Sequence, residues 1–315
     1  MRTLIQYSLA LVILILYGTQ VCPFLDTLTP LQLGIPIAVA LVFQWAIRPF
    51  LKESLVLKAS PEKRVRRQLA IDFTLFVASG VALAAFNTLV YDFPVESGLK
   101  GIIGFISLGF FVAVDLSLLE EYRLAQQVHQ TGIEVVPSKR LFPVSLKLAV
   151  FAGVSAIMVT TVLFLVVNKD LHWLLSVSEK VPLKDAQHSI IKEFTFVALV
   201  FLGHVINVTH SFARNLRFFF ETETNVLQRT NEGDLSGCVP VSTNDEFGFM
   251  AHHTNLMVNA IRQRTEEIER TQDVTILSLA SLAETRDNET GAHILRTQRY
   301  VCALAEHLAD HPRFS

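Results

Sequence analysis

The sequence has 315 residues, 51% of them apolar and only 18% charged, with 23 phenylalanines and a formal net charge of −2. That length allows two or three domains, but the composition excludes an ordinary soluble protein. A balance so near neutral specifies no charged partner, and no nucleic-acid contact is expected.

The apolar residues gather before position 210, in six runs at approximately Leu4–Val21, Leu31–Ile47, Leu69–Tyr91, Gly101–Leu119, Leu146–Val167 and Phe194–Val208. About 20 helical residues at 1.5 Å rise cover the roughly 30 Å hydrocarbon core of a bilayer. Residues 1–210 are therefore expected to be a six-helix membrane bundle, with membrane lipid as its surroundings. The first run follows Arg2, but it is long for a signal peptide and lacks a small-x-small cleavage site, so it reads as an anchor. The sixth is short and carries His204 and Asn207.

Loop charge gives an expected orientation. Arg48, Lys52, Lys58, Lys63, Arg64, Arg66 and Arg67 crowd the second loop, and Arg123, Lys139 and Arg140 lie in the fourth. The first loop has no Lys or Arg and the third has only Lys100. By the positive-inside rule both termini are cytoplasmic, in a multi-pass protein of a bacterial inner membrane. Asn168–Glu193, with Trp173 and the apolar patch Leu171–Leu175, is the one connection with room for a small element on the far side. Asp72, Asp115, His204 and Asn207 are the polar residues within or beside the runs. Ionisable groups at membrane depth are costly and often functional, but Asp72 and Asp115 fall near the expected cytoplasmic interface, within reach of water. Interfacial or interhelical hydrogen bonding is the plainer expectation for them. A transport protein with a cytoplasmic dimerisation stalk is the alternative from another class. No internal repeat and no matched pair of Gly- or Pro-broken helices supports it, and Pro36 alone does not.

From Phe212 the pattern becomes amphipathic. Phe212, Leu216, Phe219 and Val226 are spaced 4, 3 and 7. A glycine turn at Asn231–Gly237 and an extended Cys238–Val241 follow. A second helix opens at Asn244–Gly248, with Asn244 or Asp245 as its N-cap and Asp245 and Glu246 suiting its positive end. Its seam is Phe247, Met250, Thr254, Met257 and Ile261, at spacings of 3 and 4. Two helices joined by about 14 non-helical residues can lie parallel, and each has a narrow stripe that one chain cannot fully bury. Two chains together make a parallel four-helix bundle, so a parallel homodimer is expected.

Glu232-Gly233-Asp234-Leu235, Val239-Pro240-Val241, Asp245-Glu246-Phe247-Gly248 and the stretch Thr254–Met257, which includes Asn255, resemble the signatures of a HAMP domain, here residues 211–262. Met250 belongs to the same seam. The resemblance implies a relay that passes displacement of the last membrane helix to an output domain. The sequence departs from the pattern in lacking the proline that often opens the first helix, and in carrying Thr254 where a large apolar residue is usual. Residues 263–275, with Ile268 seven beyond Ile261, read as a signalling helix.

Residues 276–315 are helical in pattern, with a break near Asn288–Gly291. Ile276, Leu279, Ala280 and Leu282 form one apolar face, and Tyr300, Val301, Leu304, Ala305 and Leu308 the next. Glu289 and His293 are four apart and share a helix face, a fragment of the ligand set of a divalent metal such as Mn or Fe. The segment from Leu282 through His293 to Arg296, Tyr300 and Glu306 resembles the opening of HD-GYP cyclic di-GMP phosphodiesterases. In that family the positions matching Glu289 and His293 contribute to a multinuclear metal centre. The family also needs a His-Asp dyad, later histidines and a Gly-Tyr-Pro signature. None of the ten histidines here precedes an Asp, and no Gly-Tyr-Pro occurs. With two potential ligands, the metals that activate an attacking water are not held. The expectation is thus a partial site, no cofactor and no cyclic di-GMP hydrolysis by these residues alone, with cyclic di-GMP a partner only of a completed domain. The ending at His311–Ser315 suggests a fragment or truncated frame, and residues from about Thr271 are expected to form a protruding helical tail. A nucleotide cyclase is the alternative output. Cys22, Cys238 and Cys302 have no paired spacing.

The expected fold class is thus all-α: a polytopic six-helix bundle, then a cytoplasmic helix–connector–helix and a long signalling helix.

Overall fold

The computed structural model describes residues 2–21, 29–131, 142–177, 183–286 and 288–309. They are helical apart from short connections and the stretch 232–245, with no strand among the described residues. In chain order the helices are α1 (Arg2–Val21), α2 (Pro30–Leu51), α3 (Pro61–Tyr91), α4 (Val95–Thr131), α5 (Val144–Val177), α6 (Leu183–Asn231), α7 (Glu246–Arg286) and α8 (Asn288–Ala309). The expected break near Asn288–Gly291 borders Asp287, which lies outside the described residues. Two compact units result: Met1–Gln228 with Cys238–His253, and Arg229–Gly237 with Thr254–Ser315.

Local chemistry sets several boundaries. Thr29 and Gln32 form a capping box at α2, where the Gln32 amide donates to Thr29 Oγ1 at 3.3 Å and the Thr29 amide donates to Gln32 Oε1 at 3.0 Å. Pro30 follows at the first helical position, where its missing N–H costs nothing. α2 runs into a π-helical segment, Lys52–Leu57, whose carbonyls lack regular helical partners. Arg67 donates to Leu55 O at 2.8 Å and Arg64 to Leu57 O at 3.0 Å, so part of the basic second loop serves as a cap.

Among the described residues five helices are long and apolar enough to cross a membrane: Leu31–Leu57, Lys63–Tyr91, Val95–Thr131, Val144–Leu174 and Gln187–Asn231. The first helix has a shorter apolar segment, Arg2–Gly18. The described helices thus form a bundle compatible with a multi-pass membrane protein. Two expectations need correction. The sixth apolar run is not a short span, because α6 continues unbroken for 49 residues. Most of the connection Asn168–Glu193 is helical, since α5 extends to Val177 and α6 begins at Leu183. Within that stretch the two helices are paired, with Lys169 Nζ of α5 meeting Glu193 of α6 at 2.5 Å and its neighbour Asp170 at 3.3 Å.

α4 is the hub. Its span is 61% buried, against 17–22% for the other four. One side, Phe105, Leu108, Val112 and Leu116, packs with Tyr7 and Leu14 of α1, Leu33 and Ile37 of α2 and Phe76 of α3. Phe111 instead joins Tyr17 of α1, Val162 and Val166 of α5, and Val197 and Phe201 of α6. Glycine allows the close approach of α3, because a Cβ on Gly109 would lie 2.4 Å from the Phe76 Cβ. Small residues at such crossings let helix backbones approach where lipid removes the hydrophobic drive between helices.

Asp72 and Asp115 are not within reach of water as expected. Their side chains are fully buried. Arg48 binds Asp72 through two nitrogens at 2.6 and 3.0 Å, with Gln68 Nε2 adding a third donor at 2.5 Å. Asp115 accepts from Arg2 at 2.6 and 3.2 Å, Gln6 at 2.8 Å and Ser211 at 2.6 Å, joining α1, α4 and α6. Water is unnecessary because neighbouring helices supply the donors. Removing one partner of a buried charge pair leaves the other unpaired, at about 3–5 kcal/mol. Asp115→Ala is therefore expected to lower stability by about 3 kcal/mol or more, while Arg2→Met with Asp115→Leu recovers much of it. Thermal unfolding in detergent checks this, and a double variant as unstable as Asp115→Ala would refute it.

Candidate functional site

The residues singled out in the sequence for relay meet the membrane helices at the start of α7. Asp245, rather than Asn244, caps the helix. Its Oδ1 accepts from the Phe247 amide at 3.1 Å, the Gly248 amide at 3.3 Å and the Thr243 hydroxyl at 2.6 Å. An Asp here satisfies orphan N–H groups and complements the positive helix end. Gly248 is dictated by the same turn: a Cβ would fall 1.9 Å from Thr243 O.

The turn also latches onto α5. Lys147 Nζ donates to Asp245 Oδ2 at 2.5 Å, with Asp245 only 4% exposed. The Val144 amide donates to Glu246 Oε2 at 2.7 Å, and the Phe142 amide to Asn244 O at 2.9 Å. Asp245 and Glu246 thus each serve two helices, one completing the start of α7 and the other reaching the N-terminal turn of α5. α6 lies on the other side of the turn. Phe247 packs on Phe219 and Phe220, with ring centroids 5.2 and 5.7 Å apart. α6 is in turn held to α4 by Asn215, which donates to Leu118 O at 2.9 Å, and by Phe218 against Tyr122 at 5.3 Å.

The connector residues take distinct roles. Val239 and Val241 are buried at 0% and 3% exposure, with Pro240 buried between them. Gly233 has φ 91°, a left-handed backbone suited to glycine. In the second unit Arg229 pairs with Asp234 at 2.5 Å, and Asp234 accepts from the Ser236 hydroxyl at 2.6 Å and amide at 2.9 Å. The Ser236 bonds, first, and Arg229 hold the Asp234 carboxyl well below its ordinary value. Leu235 contributes its carbonyl, which accepts from Arg262.

The predicted seam is split. Met250, Met257, Ile261 and Ile268 are 39–57% exposed in the single chain, whereas Ala251, Thr254, Asn255 and Val258 are buried. Sequence spacing did not separate the stripe used within the chain from the one left open, because both repeat every seven residues and lie one position apart. Beyond them Leu279, Leu282, Tyr300, Val301 and Leu304 are also exposed, while Ala280 is buried.

Glu289 lies on α8 but its side chain is outside the described residues, and His293 is exposed. Among the described residues no three His, Cys, Asp or Glu side chains form a group able to hold a metal. What the sequence did not reveal is the latch. Lys147 is about 100 residues from Asp245 and carries no local motif.

Residues 6–196 match the MASE10 model, a membrane-associated sensory domain, and so cover more than half of the chain. The chain belongs to the MASE10 family. Outside that domain it remains similar to a named enzyme. It is 34% identical over 309 residues to a cyclic di-GMP phosphodiesterase of Vibrio cholerae serotype O1, over 98% of this chain and 62% of that protein. A probable cyclic di-GMP phosphodiesterase of the same organism is 43% identical over 65 residues, 21% of this chain and 15% of the other. The MASE10 chain thus spans less than two thirds of each relative's length. No solved structure matches it.

Replacing Asp245 with Ala is expected to cost about 1–2 kcal/mol through the cap alone. Exchange of the Phe247 and Gly248 amides should quicken. Asp245→Asn keeps the cap, so those amides stay slow while the Lys147 contact weakens. Equal loss in both variants would show that the charge, not the cap, orders the turn.

Asp234 gives a pH signature. A carboxyl depressed in the folded state contributes stability that is present above its unfolded value and lost as pH falls through the folded one. Protection of the Ser236 amide should therefore hold from pH 7 to 5 and decline only below about pH 4, the ordinary carboxylate value. Arg229→Ala should move the decline upward in pH. Protection lost already at pH 6 would contradict this.

Proposed function

We infer that this MASE10 protein is the sensory and relay portion of a cyclic di-GMP phosphodiesterase, working in a bacterial inner membrane with both termini cytoplasmic. The observation that carries the reading is the alignment with a protein of that name from α1 through α8, not the sensory domain alone. In this reading 211–262 act as a HAMP relay, 263–275 as a signalling helix, and 276–315 as the opening of an HD-GYP output. Glu289 and His293 supply part of its metal centre. The remaining ligands for Fe or Mn must come from outside these 315 residues, which contain no His-Asp dyad. A metal there would activate the water that attacks the phosphodiester.

The geometry at α7 supports the relay. Its first turn rests on α6 through Phe247 and on α5 through Lys147, Val144 and Phe142, so motion of either membrane helix reaches it. The exposed stripe Met250, Met257, Ile261 and Ile268 supports a parallel homodimer, since apolar residues at heptad spacing are the seam of a coiled coil.

Three measurements test the reading. Membranes carrying the native gene product should hydrolyse cyclic di-GMP in a metal-dependent way. Inserting one, two or three residues at Thr209 should change that rate with helical phase. A cysteine at Ile261 or Ile268 should cross-link two chains under mild oxidation. A rate indifferent to insertion phase would remove the relay, and absent hydrolysis with intact dimers would remove the phosphodiesterase.

A further inference from the structure

Within the membrane bundle, α1, α4, α5 and α6 enclose a cleft with about 430 Å³ of empty space counted out to its open mouth. Its lining is apolar and largely aromatic, with Tyr17, Phe111, Phe196 and Phe201 among the walls. Three lining side chains carry polar atoms. The Tyr17 hydroxyl donates to Lys100 O at 3.1 Å, and the Ser107 hydroxyl to Met158 Sδ at 3.3 Å. The third, His204, is 6% exposed, and its Nε2 is buried with no hydrogen-bond partner among the described residues. Buried polar atoms are rarely left unpaired, because each forfeits its hydration without return. In an apolar cleft walled by the matched sensory helices and by the stretch of α6 just past residue 196, such an atom is the natural anchor of a bound molecule.

We propose that this cleft is the stimulus site, and that it takes a planar, lipid-soluble carbonyl compound of the quinone class, held by one hydrogen bond to His204 Nε2. The chemistry of the lining selects this class. A charged or multiply polar ligand would find one partner at most, and an ion none. Aromatic walls favour a flat ring over a flexible chain, since rings pair by stacking or edge contact. His204 is already stacked on Phe111, with centroids 5.5 Å apart and planes 22° apart, so the cleft accepts a flat group in that orientation. The imidazole supplies a single directional contact, as needed to place one carbonyl.

The site is positioned to have an effect. On α6, His204 stands two turns before Ser211, and on α4, Phe111 stands one turn before Asp115. Ser211 and Asp115 are bonded to each other and to Arg2. A ring inserted beside the Phe111–His204 stack therefore pushes on α6 about 10 Å and on α4 about 6 Å from that bonded cluster, at 1.5 Å per residue.

The test uses the full chain in lipid nanodiscs and reads binding alone, so its failure would leave the relay and phosphodiesterase reading standing. The probe is a benzoquinone with a ten-carbon tail and a photoreactive azide. Expected labelling maps to residues 104–111 of α4 and 197–204 of α6, and is competed by the unlabelled quinone. His204→Phe keeps the ring and removes the nitrogens, and should weaken binding about tenfold, the loss expected for one hydrogen bond. His204→Asn should recover part of it. Val200→Phe fills the cleft while leaving His204 in place, and should abolish specific labelling. It decides the matter if His204→Phe fails to fold. Labelling spread over lipid-facing helices and unchanged by Val200→Phe would overturn the site. Competition by decanoic acid but not by the quinone would overturn the ligand class.

Discussion

The bundle depends on the burial of Asp115. A carboxylate at the centre of a helical bundle is sustained only if donors from other helices surround it, and here they come from α1 and α6. That requirement fixes three helices against one another in rotation and in height. Apolar packing of α4 alone would leave each free to slide, since lipid tails are as good a partner as leucine. The Arg48–Asp72 pair does the same for α2 and α3, and Lys52 with Glu120 joins the end of α2 to α4. Polar contacts thus set the register that the glycine-assisted packing of α3 on α4 then fills.

The same logic extends to the start of α7. Its cap is a local device, but Asp245 and Glu246 each spend a second valence on α5. The MASE10 domain and the segment after it are therefore tied by hydrogen bonds and an ion pair as well as by chain connection. This is consistent with a similarity to one relative that continues past residue 196 to cover nearly all of the chain.

Much of the architecture could be read from hydropathy runs, because a helix buried in lipid must be apolar over a fixed length. An N-cap at Asn244 or Asp245 was also legible, being a local consequence of helix geometry, and the structure selects Asp245. What escaped were pairings between distant positions. Arg2 with Asp115 and Lys147 with Asp245 have no spacing that a sequence displays, so Asp72 and Asp115 looked wet and Lys147, at the start of the fifth apolar run, drew no attention. Lys169 and Glu193 fell inside the expected connection but form an ion pair between α5 and α6. The buried face of α7 was missed for a subtler reason. Ala251 and Val258 are small and sit one residue from Met250 and Met257, so periodicity favoured the larger pair.

The double attachment of α7 also decides what kind of movement registers there. If the whole bundle drifts, tilts or bobs in the bilayer, α5 and α6 travel together and the turn at Asp245 is carried along without being twisted. If one slips past the other, Lys147 and Phe219 pull that turn in different directions. The junction is in effect a comparator. Built this way, the turn would be deformed by the difference between the two helices' movements and not by motion that they share.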